Sequence, residues 1–383
     1  MIRILYICAP TSIHDIKWMS FFSEQKEKYS VFAIYESNMD IGAEDEELLN
    51  KLNIKLLEPI HPFSASAPLK TINSVFQLRR AINKNNIDLV HILFATPHAL
   101  WGNFISVPYI ITTRGSDVLI VLPSLSKHKI KFNPYSNFLF YLFKNSFERA
   151  KAITSTSIAQ IEAIQNLFGI SKSKLIRTGV DVDSISKIVD QNLLSRFLAN
   201  KKFVFFPRNI APNYNTLLQI DALRYLSKET IDNYYFVFVK SAHFDPNYVG
   251  LVAQKLLEAA DEVGLKYFLI DYFTQPEMWV HYKFASLVVM TPKSDGTPNS
   301  ALEAMAAGAP LILSNLTYDT ELFENVALIL DKMEPQNLAN LIEIGLSAYP
   351  QSLLSTAHKN VSAFGDRKRE MAKLEKFYES VFK

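Results

Sequence analysis

The sequence predicts an α/β protein built from two doubly wound, parallel-sheet domains, and three observations carry that prediction. Short runs of β-branched and aromatic residues recur along the 383-residue chain. Most of these runs are continuous rather than alternating, as expected for strands of a parallel sheet buried on both faces. Stretches of helix length lie between many of them, and this strand–helix alternation occurs twice with a break between the two series.

In the first series the runs are 2–8, 31–35, 54–60, 89–94, 109–113, 152–155 and 175–177. In the second they are 203–207, 235–239, 267–270, 287–290, 311–314 and 327–330. Helix-length patterns cover 69–83, 157–167, 214–226 and 247–263, and the tail from about Ser355 reads as one amphipathic helix. The first series ends at Val180, a polar helical stretch follows, and the second begins at Phe203. The expected domains are therefore residues 1–190 and 191–355, with residues 356–383 as a terminal helix that packs back toward the first domain.

Composition narrows the class. Apolar residues make up 49% of the chain and the formal net charge is +2, so charge implies no nucleic-acid partner. The one cysteine, Cys8, lies in the first apolar run and fits a reducing, cytoplasmic setting. The opening MIRILYICAP reads as a buried strand rather than a signal peptide, and no apolar run reaches the ~20 residues of a membrane span. Glycines are few, 11 in all, and neither GxGxxG nor a Walker loop is present. A metal site is not expected: Asp181 and Asp183 have a metal-like spacing, but Asp183 reads as the cap of the next helix.

Ligands of open parallel sheets bind beyond the C-terminal strand ends. The polar residues just after those ends are Arg114 and Asp117 in TTRGSDV, Asp181 in RTGVD and Arg208 in PRNIAPNYN. Lys240 and His243 in VKSAHF, Asp271 in IDYF, and Lys293, Asp295 and Asn299 in TPKSDGTPNS complete the set. Most informative is SDGTPNSALEAMAAGAPLILSN, where one carboxylate, Glu303, sits in a helix apolar on almost every side. Such a helix is buried, and a buried carboxylate is costly unless something hydrogen-bonds it. Thr297 is the expected N-cap, Pro298 the first helical residue, and Gly308 with Pro310 the stop. Asp295 precedes the helix, and Glu303 lies four residues after Asn299 on the same face. Two carboxylates and a positive helix end thus converge, which suits a ligand with hydroxyls and a diphosphate.

The segment SDGTPNSALEAMAAGAPLI resembles the signature of glycosyltransferase family 4, the retaining nucleotide-sugar transferases of the GT-B fold. SIHDIKW, TTRGSDV, GVDVD and PRNIAPNYN resemble the same family in order along the chain. The resemblance implies two Rossmann-like domains facing a cleft, with the acceptor on the first and the donor, a UDP-sugar by family frequency, on the second. No cofactor beyond the donor is implied. Glu303 would hold the ribose, Arg208 the diphosphate, and Asp295 with Thr297, Pro298, Asn299 and Ser300 the donor sugar. Asp117 and Arg114 would stand near the sugar and acceptor, with Lys240 and Asp271 beside the nucleotide. Two positions depart from the family pattern. Asn213 replaces a frequent Lys, whose charge Lys240 would supply, and Arg114 replaces a frequent His. Arginine is no base, so any role at Arg114 is electrostatic.

A hexosyltransferase of polysaccharide biosynthesis is the expected activity, with a glycan or lipid-linked acceptor. The alternatives are a catalytically silent sugar-nucleotide-binding subunit and a nucleotide-sugar epimerase. Residues 127–147 set Lys127, Lys129 and Lys131 beside Tyr135, Phe138, Phe140, Tyr141, Phe143 and Phe147. This stretch is either a core-facing helix with solvated flanks or a peripheral contact with the inner face of a membrane.

Overall fold

A computed structural model describes residues 1–64, 66–127, 134–240 and 245–382. The chain divides into two compact units, Met1–Thr178 with Glu370–Lys383, and Gly179–Arg369. The division thus falls a dozen residues before the expected 190, and only the last stretch of the tail returns to the first unit. The tail is two helices, Gln351–Phe364 and Arg367–Val381, rather than one.

The first unit holds seven parallel strands, β1 (Ile2–Ile7), β2 (Tyr29–Ile34), β3 (Ile54–Leu56), β4 (Leu89–Leu93), β5 (Tyr109–Thr113), β6 (Ala152–Ser155) and β7 (Ser173–Leu175), in the order β3-β2-β1-β4-β5-β6-β7. The order reverses between β1 and β4, which makes that gap the topological switch point. Helices Pro68–Lys84, Pro134–Arg149 and Ile158–Phe168 cover one face, where Leu78, Phe140, Phe147 and Ile164 pack on Leu5, Val90, Ile92 and Ile111. Helices Ile13–Ser23 and Arg367–Val381 cover the other, where Trp18, Met19, Leu374 and Tyr378 pack on Ile4, Tyr6, Leu89 and Ile110.

A buried polar thread runs through this apolar sandwich. His91, in the middle of β4, meets the Tyr378 hydroxyl through Nδ1 and the Thr112 hydroxyl through Nε2 at 2.6 Å. Tyr378 reaches the Tyr6 hydroxyl at 3.1 Å, and Thr112 reaches Thr154 at 2.6 Å. Both imidazole nitrogens are therefore satisfied, as a buried polar group requires. Burial, with the Arg114 charge in support, lowers the His91 pKa to about 3 and keeps the ring neutral.

The second unit has six parallel strands, β8 (Lys202–Phe206), β9 (Tyr234–Val239), β10 (Tyr267–Ile270), β11 (Leu287–Met290), β12 (Leu311–Ser314) and β13 (Leu328–Leu330), in the order β10-β9-β8-β11-β12-β13. Its switch point lies between β8 and β11. All thirteen runs read from the sequence form strands, with ends shifted by a few residues where runs stop at polar turns. The run 54–60 forms only a three-residue strand, followed by an isolated bridge from Ile60 to Glu36. Gly179 opens the unit at φ 67°, and a Cβ there would meet the Arg367 Cα at 2.7 Å. Glycine alone fits that crossing, which the Val180–Asp366 bridge then closes.

Candidate active site

The second unit brings several of the candidate side chains to the switch point. Arg208 follows β8 by two residues, and Asp295 stands in the turn after β11, the strand beside β8. Arg208 Nη2 pairs with Asp295 Oδ2 at 2.9 Å, and Nη1 donates to Ser300 Oγ at 2.6 Å. The guanidinium also lies over the Tyr214 ring, 4.2 Å from its centroid. Asp295 Oδ1 accepts the Gly296 N–H at 2.8 Å, which pins the turn. Both side chains keep a solvent-facing edge, at 16% and 18% exposure, so a ligand can reach them.

The helix that follows is Asn299–Ala307, and Gly308 ends it at φ 72°. Its N-cap is Pro298, not Thr297 as the sequence suggested, and Pro298 makes no side-chain cap hydrogen bond. As at any N-cap, its carbonyl closes the first turn: Ala301 and Leu302 donate to Pro298 O at 3.0 and 3.2 Å. The Ala301 N–H is therefore taken up within the helix. Thr297 Oγ1 instead reaches Asp319 Oδ2 at 3.4 Å.

Glu303 is buried one turn into the helix, where Gln275 Nε2 donates to Oε1 at 3.2 Å. The neighbouring Tyr282 is wholly buried, and its hydroxyl has no hydrogen-bond partner among the described residues. Burial pushes the Tyr282 pKa up, and the Glu303 charge adds to it. Gln275 and Tyr282 belong to the helix Gln275–Phe284, whose start is fixed by a Thr274–Glu277 capping box.

The other expected donor-side residues lie further out. Lys240 follows β9 and pairs with Asp271, after β10, at 2.6 Å. Both therefore stand on the far side of β8 from Asp295. Asn213, where the family pattern has Lys, ties two loops together. Its side chain donates to Ser294 O at 3.0 Å, and its carbonyl accepts the Lys293 N–H at 2.7 Å. His243 lies outside the described residues. Asp181, rather than Asp183, caps the helix Val182–Ser186, accepting the Ser184 N–H at 3.0 Å. Asp183 pairs with Lys187 at 2.7 Å.

In the first unit the geometry differs from the sequence reading. Asp117 is fully buried, and its carboxylate accepts backbone N–H groups of Ala95 (2.9 Å), Arg114 (3.1 Å), Gly115 (2.9 Å) and Val118 (3.0 Å). Burial pushes its pKa up against the pull of these four donors. With both oxygens engaged, Asp117 shapes the loop after β5. Arg114 forms an ion pair with Asp15, a residue only 2% exposed near the start of the first helix. Asp15 Oδ2 in turn accepts the Ala9 N–H at 2.8 Å. Trp18 is core, with its indole N–H on Thr178 Oγ1 at 3.2 Å.

Asp15, Tyr214, Gln275 and Tyr282 were not singled out from sequence. Asp15 carried a usable signal, a lone acid in the first turn of a helix that follows a buried strand. The other three look locally like ordinary loop or helix residues.

Two family models match the chain: "Glycosyl transferase 4-like" over residues 3–157 and "Glycosyl transferases group 1" over residues 195–353. No curated protein matches by sequence. Solved structures share the fold along the full length. The Anabaena protein HepE in complex with UDP is 16% identical, with a TM-score of 0.77 over 99% of this chain and 100% of its own. A glycosyltransferase from Rickettsia africae is 15% identical, with a TM-score of 0.76 over 100% and 99%. Sucrose-phosphate synthase from Thermosynechococcus elongatus is 15% identical, with a TM-score of 0.71 over 100% and 99%. With a glycosyltransferase model on each half and two parallel α/β sheets of matching topology, the chain belongs to the family 4-type glycosyltransferases of the GT-B fold.

Proposed function

We propose that the enzyme transfers a hexose from a UDP-sugar to a glycan or lipid-linked acceptor, with retention at the anomeric carbon, in cytoplasmic polysaccharide biosynthesis. The observation that carries this reading is the Arg208–Asp295–Ser300 cluster at the switch point, with Glu303 one turn along the same helix. Arg208 and the helix start would hold the departing diphosphate, because fixed positive charge in a partly dry site stabilises developing negative charge without reorganisation. Glu303 would accept both ribose hydroxyls, with Gln275 orienting its carboxylate. Asp295 and the segment Thr297, Pro298, Asn299 and Ser300 would face the sugar, and Lys240 with Asp271 would flank the nucleotide. Arg114, held by Asp15, would act on the acceptor side as a fixed charge. The similar Anabaena HepE structures are complexes with UDP and with UDP-glucose, which supports UDP-glucose as the first donor to try.

The test is a thermal-shift screen of UDP-, GDP- and ADP-sugars, followed by NMR of the product's anomeric configuration. A ligand that binds only the native state raises the apparent melting temperature with occupancy. Stabilisation by a UDP-sugar and a product of unchanged configuration are expected. No shift with any UDP-sugar would sink the donor assignment, and an inverted product would sink retention.

A further inference from the structure

The first unit carries an exposed apolar and basic face that sugar transfer does not require. Helix Pro68–Lys84 buries Thr71, Ser74, Leu78 and Ile82, yet turns Leu69 (81% exposed), Ile72 and Phe76 (65%) to solvent. These recur at i, i+3 and i+7, so they form one stripe along the helix. Helix Pro134–Arg149 repeats the pattern. Phe140, Phe143 and Phe147 are core, whereas Tyr135, Phe138 and Tyr141 (63%) are exposed at i, i+3 and i+6.

The two helices lie in one layer on one face of the sheet, so their outer surfaces point the same way. They flank the turn Ala99–Phe104. Arg79 Nε holds the Phe104 carbonyl at 3.2 Å from one side, and Arg149 Nη1 holds the Asn103 carbonyl at 2.8 Å from the other.

Charge on these two helices is mostly basic, while the third helix of the layer, Ile158–Phe168, carries one acid, Glu162. Helix Pro68–Lys84 contains Lys70, Arg79, Arg80 and Lys84 and no acidic residue. Helix Pro134–Arg149 contains one acid, Glu148, which Lys144 pairs at 3.6 Å. On the opposite layer, Ala43–Lys51 carries Glu44, Asp45, Glu46 and Glu47, and Arg367–Val381 carries both signs.

We propose that this layer docks on a bilayer surface containing anionic phospholipid. The apolar stripes would enter the interface while Lys70, Arg80 and Lys84 meet lipid phosphates. A second copy of the chain suits the face less well, because a two-fold contact would set the same basic surface against itself. The proposal goes beyond sugar transfer and does not depend on which donor is used. It also revises the sequence reading of residues 127–147, whose aromatic residues divide between core and surface. Lys129, Lys131 and the side chain of Lys127 lie outside the described residues, so the basic contribution assigned here comes from the other helix.

The experiment is co-sedimentation of the full chain with phosphatidylcholine vesicles, with and without phosphatidylglycerol, at low and moderate salt. Two variants accompany it: Leu69→Gln with Ile72→Gln and Phe76→Gln, and Lys70→Gln with Arg80→Gln. Glutamine keeps helix propensity. Wild type should bind only the phosphatidylglycerol vesicles and bind less as salt rises, because screening shortens the reach of surface charge. Each variant should melt like wild type and lose on the order of tenfold in vesicle partition. Failure to bind anionic vesicles at low salt, or binding unchanged in both variants, would overturn the proposal. So would analytical ultracentrifugation showing a dimer that the triple variant dissociates, since a second copy would then occupy the face.

Discussion

Two arginines stand just beyond strand ends, one in each unit, and their surroundings make them different instruments. Arg208 pairs with Asp295, but that pair is open along one edge, donates to Ser300 at a helix start, and rests on the Tyr214 ring. Arg114 pairs with Asp15, which is closed to solvent and anchored to the Ala9 N–H. The aspartates of the two loops diverge in the same way. Asp295 spends one oxygen on the Gly296 N–H and offers the other to Arg208, whereas Asp117 spends both on backbone. Residue type and place after a strand are therefore not enough to mark a catalytic group. What separates the two loops is how much of each charged group the fold itself consumes.

The comparison breaks if the two arginines respond alike to truncation. Arg114→Ala leaves the Asp15 charge buried and unpaired, so it should cost about 3–5 kcal/mol of stability, measured by urea unfolding. A loss under 1 kcal/mol would mean that the pair is not structural. Arg208→Ala should fold nearly as well but lower kcat by about 100-fold at saturating donor, as loss of a charge-stabilising donor does. Asp295→Asn should exceed a tenfold loss in the same assay. Near wild-type turnover in either variant would remove that residue from the reacting centre.

Glu303→Gln sharpens the contrast within the second unit. A charged hydrogen bond to the ribose should be lost at about 1.5–3 kcal/mol of donor affinity by calorimetry, with the fold intact. Equal affinity in the two proteins would exclude the ribose role.

The first unit should also carry an acid sensitivity through His91. Its folded pKa, about 3, lies below its ordinary value. The unfolded chain therefore binds the proton first, and stability falls as pH drops from about 6.5 toward 3, by up to ~1.4 kcal/mol per unit. Denaturant midpoints between pH 7 and 4 should show this slope, and His91→Asn should flatten it. An unchanged slope would place the acid sensitivity elsewhere. The smallest effect is expected of Tyr282→Phe, within about 0.5 kcal/mol of wild-type stability, because its hydroxyl has no hydrogen-bond partner among the described residues.

The strands and the helix Asn299–Ala307 were legible because burial on both faces imposes continuous apolar runs that need no distant information. Gly308 was legible as a stop because a left-handed turn selects glycine locally. Helix starts were less so. At Thr297 and Pro298, and again at Asp181 and Asp183, several adjacent residues suit a cap, and packing chose between them.

By itself the sequence determined two parallel α/β units, the helix that carries Glu303 with its glycine stop, and the arginine two residues beyond β8. Each is a property of a short window: a period, a cap, or a strand end. Only the tertiary structure decided which charges meet. Gln275 reaches Glu303 across 28 residues, Tyr378 reaches His91 across 287, and Asp15 meets Arg114 only because β1, β4 and β5 lie side by side. Such pairings follow from strand order, and strand order is set by the packing of whole layers rather than by the composition of any one segment.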